Sequence, residues 1–284
     1  MDPQEHKAPA GAAVSAMDFG VKGPRGWAFH GVGFEAEPGS LIAVRGPSGS
    51  GRTCLLLALT GRMKPSEGRA EVGTHRLPKE MSAVRRISAL AHVPGVTDLD
   101  PALTVGEHLR ERALLEARFG DSVRALLRPR AEKAATAKQR IATALATAGL
   151  DLETLPKGSR TAVRDLERLE ALRLSVALAV IGRPRLLAVD DTDLKLSAAE
   201  RTAAWDLLRS LTEAGTTVIA VCSEAPEGAV VVSTAPGTPA GSERPAEEVA
   251  PRPSTPGTTP DEPSEDGADD DKETADALAE TGRA

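Results

Sequence analysis

The stretch SLIAVRGPSGSGRTCLLLALTGRM, residues 40–63, decides the fold. Ser40 to Gly46 is a short β-branched and apolar run that stops at glycine, and Arg52 to Met63 is apolar enough for a buried helix. The segment therefore reads strand, loop, helix. Gly46, Gly49 and Gly51 lie in the loop. Glycine permits backbone angles that turn successive N–H groups toward one point, and the following helix presents its positive end to the same place. That geometry binds phosphate. The contacts would come from Gly46, Pro47, Ser48, Gly49, Ser50, Gly51, Arg52, Thr53 and Cys54. Arg52 stands where the G-x-x-x-x-G-K-[ST] pattern has lysine. Arginine keeps the charge but presents a planar fork rather than a compact point donor, so the phosphates would be held differently. Thr53 supplies the hydroxyl that such a loop uses on Mg²⁺. The alternative is a Gly-rich turn that only links strand to helix.

Outward from this segment the pattern alternates. Ile87 to Val93, Arg185 to Asp191, Thr216 to Ser223 and Gly228 to Thr234 are further strand candidates, with helical stretches such as residues 197–215 between them. Apolar strands separated by helices imply an α/β fold with a mostly parallel sheet covered on both faces. From about Thr104 to Ala171 the chain is rich in Ala, Leu, Arg and Glu with helical periodicity, which reads as an inserted helical subdomain. Asp190 closes the apolar run of residues 185–191 and is a candidate for Mg²⁺, or else a strand-end cap. Asp191 either orients and deprotonates water as a catalytic carboxylate or caps the backbone.

An apolar fraction of 40% in 284 residues is enough for a real core. The net charge of −6 argues against a nucleic-acid surface, which needs clustered Lys and Arg. Most of the acidic excess lies in residues 261–273, within a Pro-, Thr- and acid-rich stretch from about residue 236 that reads as a disordered tail. Residues 1–13 read as a flexible N-terminus. Cys54 and Cys222 have no partner at metal-ligand spacing and read as reduced packing residues, and His6, His30, His75, His92 and His108 show no ligand spacing. No stretch reads as a secretion signal or a bilayer span, so a cytoplasmic protein is expected, with any membrane association made through a partner.

Residues 14–233 resemble the ATP-binding subunit (nucleotide-binding domain) of ABC transporters. Residues 34–73 match that family's first segment, including the Glu37-Pro38-Gly39 entry and the loop. Residues 93–109 fall where the family has its Q-loop and the start of its helical subdomain, and residues 173–191 match the helix that leads into the Walker B strand. The resemblance implies a P-loop NTPase fold with an antiparallel N-terminal β part and a helical subdomain over about 98–171. It also implies ATP and Mg²⁺ as cofactors, with Thr53 and Asp190 on the metal. A second ATP-binding subunit, as homodimer or heterodimer, and a separate permease-like membrane protein would be the partners. The chain would then sit peripherally on the inner face of the membrane.

Several family positions are altered. The Q-loop glutamine falls on Gly95 and the switch histidine on Ser223. The signature LSGGQ falls on LERLE, Leu166 to Glu170, which puts a carboxylate where phosphate should approach. The catalytic glutamate is Asp191, and the D-loop is unrecognisable in residues 192–197. The aromatic that stacks on adenine would be Phe19 or Trp27, each equally readable as core. The alternative function is therefore a degenerate, weakly hydrolysing regulatory or assembly module. A soluble P-loop kinase or GTPase ranks lower, because no guanine-reading Asn/Thr-Lys-x-Asp motif occurs.

Overall fold

A computed structural model of the chain describes residues 11–119 and 130–235. In chain order the elements begin with β1 (Val14–Gly23), β2 (Gly26–Ala36), β3 (Leu41–Arg45) and α1 (Arg52–Leu59). β4 (Glu67–Val72) and β5 (His75–Leu77) lead to α2 (Met81–Ile87) and β6 (Ser88–Ala91). The helical insertion holds α3 (Val105–Phe119) and α4 (Arg130–Ala148), two 3₁₀ turns, and the start of α5 (Arg168–Val180). β7 (Leu186–Val189), α6 (Ala198–Glu213), β8 (Thr217–Val221) and β9 (Val230–Ser233) complete it.

Two sheets result. β2, β1, β4 and β5 pair antiparallel in that order, and β6, β7, β8, β3 and β9 form a parallel sheet. Every residue of β7 and β8 is buried, as a parallel strand covered on both faces requires. Alternation along the strands divides the core. Ile42 and Val44 of β3, with Ile219 of β8, face Leu55, Leu56 and the antiparallel sheet, whereas Leu41, Val218 and Leu187 face α5 and α6. Burying a Leu or Ile this completely contributes about 1.5–3 kcal/mol relative to exposure, so a few such side chains fix α1 and the loop before it against the sheet.

Two boundaries differ from expectation. The helix behind the loop ends at Leu59 rather than Met63, because Gly61 takes the left-handed conformation (φ 71°). Its N–H donates to Ala58 O at 3.0 Å and that of Arg62 to Leu57 O at 2.8 Å, which closes the helix despite the apolar run. Ile87, expected in a strand, ends α2, and β6 begins at Ser88. Packing is established already at Ala12, which is fully buried and whose carbonyl accepts from Thr217 Oγ1 at 2.7 Å. It extends to Thr234, which is also buried. The rest of the expected N-terminal and C-terminal tails, 1–10 and 236–284, lies outside the described residues.

Candidate nucleotide-binding site

The loop of residues 46–51 leaves the C-terminal end of β3 and enters α1 at Arg52, at the carboxyl end of the parallel strands, where such folds bind ligands. Gly49 and Gly51 both have φ 81°. A Cβ on Gly51 would run into the carbonyl oxygen of Ala28, so this position must be glycine for two independent reasons. A Cβ on Gly46 would collide with Thr234 Oγ1 and lie 2.5 Å from Ser50 Oγ. Those two hydroxyls share a hydrogen bond of 2.6 Å, which ties the loop to the end of β9. Thr234 was not singled out in the sequence, because its role depends on a strand pairing that only the fold creates.

Thr53, in the first turn of α1, donates its hydroxyl to Asp190 Oδ2 at 2.5 Å. Asp190 follows β7, and β8 lies between β3 and β7 in the sheet, so the contact crosses the end of a strand. Asp190 is 3% exposed, and its other oxygen accepts from the Asp191 N–H at 2.9 Å. The two residues expected on the metal are thus brought together. Hydroxyl and carboxylate oxygens form the hard donor pair that Mg²⁺ takes alongside phosphate oxygens and water. No cluster of three His, Cys, Asp or Glu able to hold a metal occurs among the described residues. Asp191 is half-buried and left-handed (φ 46°), a strained conformation for a residue with a side chain. Cys54, behind Thr53, is half-buried, and its thiol is pushed up by burial and then by the charge of Asp190.

The altered positions are equally defined. Gly95 is exposed and left-handed (φ 76°), and its N–H donates to Asp98 at 2.9 Å. Ser223 is bound to Asp193, whose carboxylate accepts its N–H at 2.8 Å and its hydroxyl at 3.4 Å. Glu167 caps the N-terminus of α5, and its N–H donates to Glu170 at 2.8 Å. Phe19 is fully buried, packed 6.0 Å from the ring of Phe29, and belongs to the core. Trp27 is 44% exposed, with Lys22 Nζ 5.5 Å from its ring. His92, read as a solvated or packing residue, lies opposite Asp190. Its carbonyl accepts the Asp190 N–H at 3.3 Å, and its Nε2 is buried without a hydrogen-bond partner among the described residues. Desolvation, then Arg168, lowers its proton affinity against the opposing pull of Asp191 and Asp190. Only register across β6 and β7 reveals this placement.

A parallel sheet with a glycine loop between β3 and α1, facing an acidic strand end, defines a P-loop nucleotide-binding fold. Residues 29–193 match the family model described as ABC transporter. The chain belongs to the ABC transporter family of ATP-binding proteins. It is 30% identical over 185 residues to the Nod factor export ATP-binding protein I of Cupriavidus metallidurans, covering 65% of this chain and 54% of that protein. It is also 30% identical over 193 residues to the Daunorubicin resistance ATP-binding protein DrrA3 of Streptomyces coeruleorubidus, covering 68% and 54%. The chain thus spans about half the length of the curated relatives it matches. Among solved structures, cbiO1 of Clostridium perfringens, part of an ABC transporter complex, aligns with TM-score 0.59 at 18% identity over 74% of this chain and 78% of that one. A dimeric bacterial ABC transporter cassette aligns with TM-score 0.59 at 20% identity over 78% and 94%. No helix among the described residues is long and apolar enough to cross a membrane.

Proposed function

We propose that residues 14–233 bind Mg-ATP at the loop of residues 46–54 and couple that binding to a separate membrane-spanning partner. The convergence of Thr53 and Asp190 at the mouth of the loop carries the reading. Backbone N–H groups of the loop other than at Pro47, which has none, and the N-terminus of α1 hold the phosphates, Arg52 reaches the outer ones, and Thr53 with Asp190 would hold the metal. Mg²⁺ held there would neutralise phosphate charge. Asp191 orients or deprotonates water. The helical insertion of about 98–171 and a second ATP-binding subunit complete the unit, which lies on the cytoplasmic face of the membrane through its partner. Relatives named for export and drug resistance support an exporter.

A second property follows from Gly95, Ser223 and Glu167. Phosphoryl transfer depends on positioning and charge stabilisation, and three groups that would supply them are absent, so hydrolysis by the lone chain is slow. A partner with an intact signature segment would complete the site. Calorimetry with Mg-ATP on the wild type and on Thr53→Ala tests the binding site. Tight binding by the wild type and at least about tenfold weaker binding by the variant is expected, as loss of a charged hydrogen bond implies. Absence of binding, or equal binding by both proteins, overturns the assignment.

A further inference from the structure

Among the described residues three buried side-chain polar atoms have no hydrogen-bond partner: His92 Nε2, Thr192 Oγ1 and Arg173 Nε. Arg173 lies on α5, but the other two stand on either side of the Asp190–Asp191 pair. His92 follows β6, and its carbonyl accepts the Asp190 N–H at 3.3 Å. Thr192 follows Asp191, and its own N–H donates to Val221 O at 3.1 Å. A buried polar atom left unpaired is costly, and such atoms are rare unless something uses them. The backbone carries a second cost at the same place. His92 (φ 47°) and Asp191 (φ 46°), at the ends of neighbouring parallel strands, are both left-handed. Strain of this kind persists where the surroundings impose it, and it clusters at ligand sites. Here a closed turn imposes it: the Val93 N–H donates to Thr97 Oγ1 at 2.8 Å, and the Val93 carbonyl accepts from the Thr97 N–H at 2.9 Å.

A packing role for His92 would be filled by an apolar side chain without the orphaned nitrogen, so packing leaves the choice of imidazole unexplained. The other groups at this end of the sheet are less suited to a ligand. Gly95 has no side chain, the Ser223 hydroxyl is turned to Asp193 at 3.4 Å, and Thr192 is 1% exposed. His92 is only half-buried, so its ring can be reached. Burial, then Arg168, disfavours its protonated form against the pull of Asp191, Asp190 and Asp98. A neutral imidazole has one N–H and one lone pair, and with the proton on Nε2 it donates to a phosphoryl oxygen without repelling the metal beside it.

We propose that His92 reads the terminal phosphoryl group of the bound nucleotide through Nε2, so that the site tells a nucleoside triphosphate from a diphosphate. The proposal rests on the reading of residues 46–54 as the nucleotide loop. A contact already made to the bound triphosphate adds affinity rather than rate, so it leaves slow turnover by the lone chain in place. The test is calorimetry on the full chain with Mg²⁺ and either ADP or the non-hydrolysable adenylyl imidodiphosphate, using wild type, His92→Ala and His92→Gln. His92→Ala should bind the triphosphate analogue about tenfold or more weakly and ADP within about twofold of the wild type, as loss of one hydrogen bond to a charged group implies. His92→Gln, whose amide also donates, should recover most of the loss. The ADP affinity doubles as a check that each variant is folded. An unchanged affinity of His92→Ala for the analogue overturns the proposal. Equal weakening toward both nucleotides also overturns it, and leaves His92 a packing residue. In either case binding of both nucleotides by the wild type leaves the loop assignment standing, whereas a wild type that binds neither overturns the loop reading and this assignment with it.

Discussion

Thr53 and Asp190, 137 positions apart, share a hydrogen bond of 2.5 Å across the end of β8, and the carboxylate that accepts it is 3% exposed. Among the described residues it accepts from a hydroxyl and from the Asp191 amide and forms no ion pair. A buried charge without a counter-ion is costly, and a bound metal removes that cost. Asp190→Asn should therefore melt no lower than the wild type without ligand, while losing most of the gain that Mg-ATP confers. At a hundredfold excess over Kd that gain is about 2.7 kcal/mol, or about 5–10 °C for a domain of this size. Thermal melts with and without Mg-ATP decide the matter; an unchanged gain in the variant would remove Asp190 from the metal site.

Gly51→Ala places a methyl group against the Ala28 carbonyl in a left-handed backbone at φ 81°. Neither the carbonyl nor the dihedral can relax cheaply, so stability should fall by at least about 2 kcal/mol and Tm by about 4–8 °C. Gly49→Ala shares the dihedral but has open space around its Cβ, and should cost less. Equal losses would show that the close approach of Ala28 carries no weight.

Two helices begin with the same reciprocal cap. Thr104 donates its N–H and hydroxyl to Glu107 at 2.7 Å each, and Ser197 donates likewise to Glu200 at 2.8 and 2.6 Å. These hydrogen bonds hold both carboxyls below the ordinary value of 4.5. A depressed folded-state value means the stabilisation is complete above the unfolded value and is lost as pH falls through the folded one. Glu107→Gln with Glu200→Gln should accordingly reduce Tm near pH 7 and converge with the wild type below about pH 4. Parallel melting curves at all pH values would contradict the assignment.

Cys222 is 1% exposed and desolvation, the largest cause, pushes its thiol up to about 12. It should resist maleimide in the folded chain at neutral pH. Cys54 is half-buried beside Thr53 and should react slowly, and more slowly still with Mg-ATP bound. Peptide mass mapping gives both rates; rapid labelling of Cys222 would contradict the packing of β8.

The parallel strands were legible because apolar runs such as residues 41–45 and 186–189 carry their own signal. The loop was legible because its glycine spacing has a geometric purpose. Helix ends were less so: the apolar composition of residues 52–63 hides a stop that depends on one left-handed glycine at 61. Long-range pairings were not legible at all. The contact of Ser50 with Thr234, the placement of His92 opposite Asp190, and the burial of Phe19 against Phe29 each require a neighbour from a distant strand.

Steady-state ATP hydrolysis by the purified chain, with Asp191→Asn as background, tests the central claim most directly. Losing one well-placed charge-stabilising donor typically slows phosphoryl or acyl chemistry about 10²- to 10³-fold, and on the proposed reading Gly95, Ser223 and the Glu167 segment replace several. The account predicts that Mg-ATP binds while turnover stays close to that of Asp191→Asn, rising only when a partner subunit with an intact signature is added. Turnover near one per second by the chain alone, typical of working enzymes and abolished by Asp191→Asn, would contradict it and make Asp191 a fully competent catalytic carboxylate.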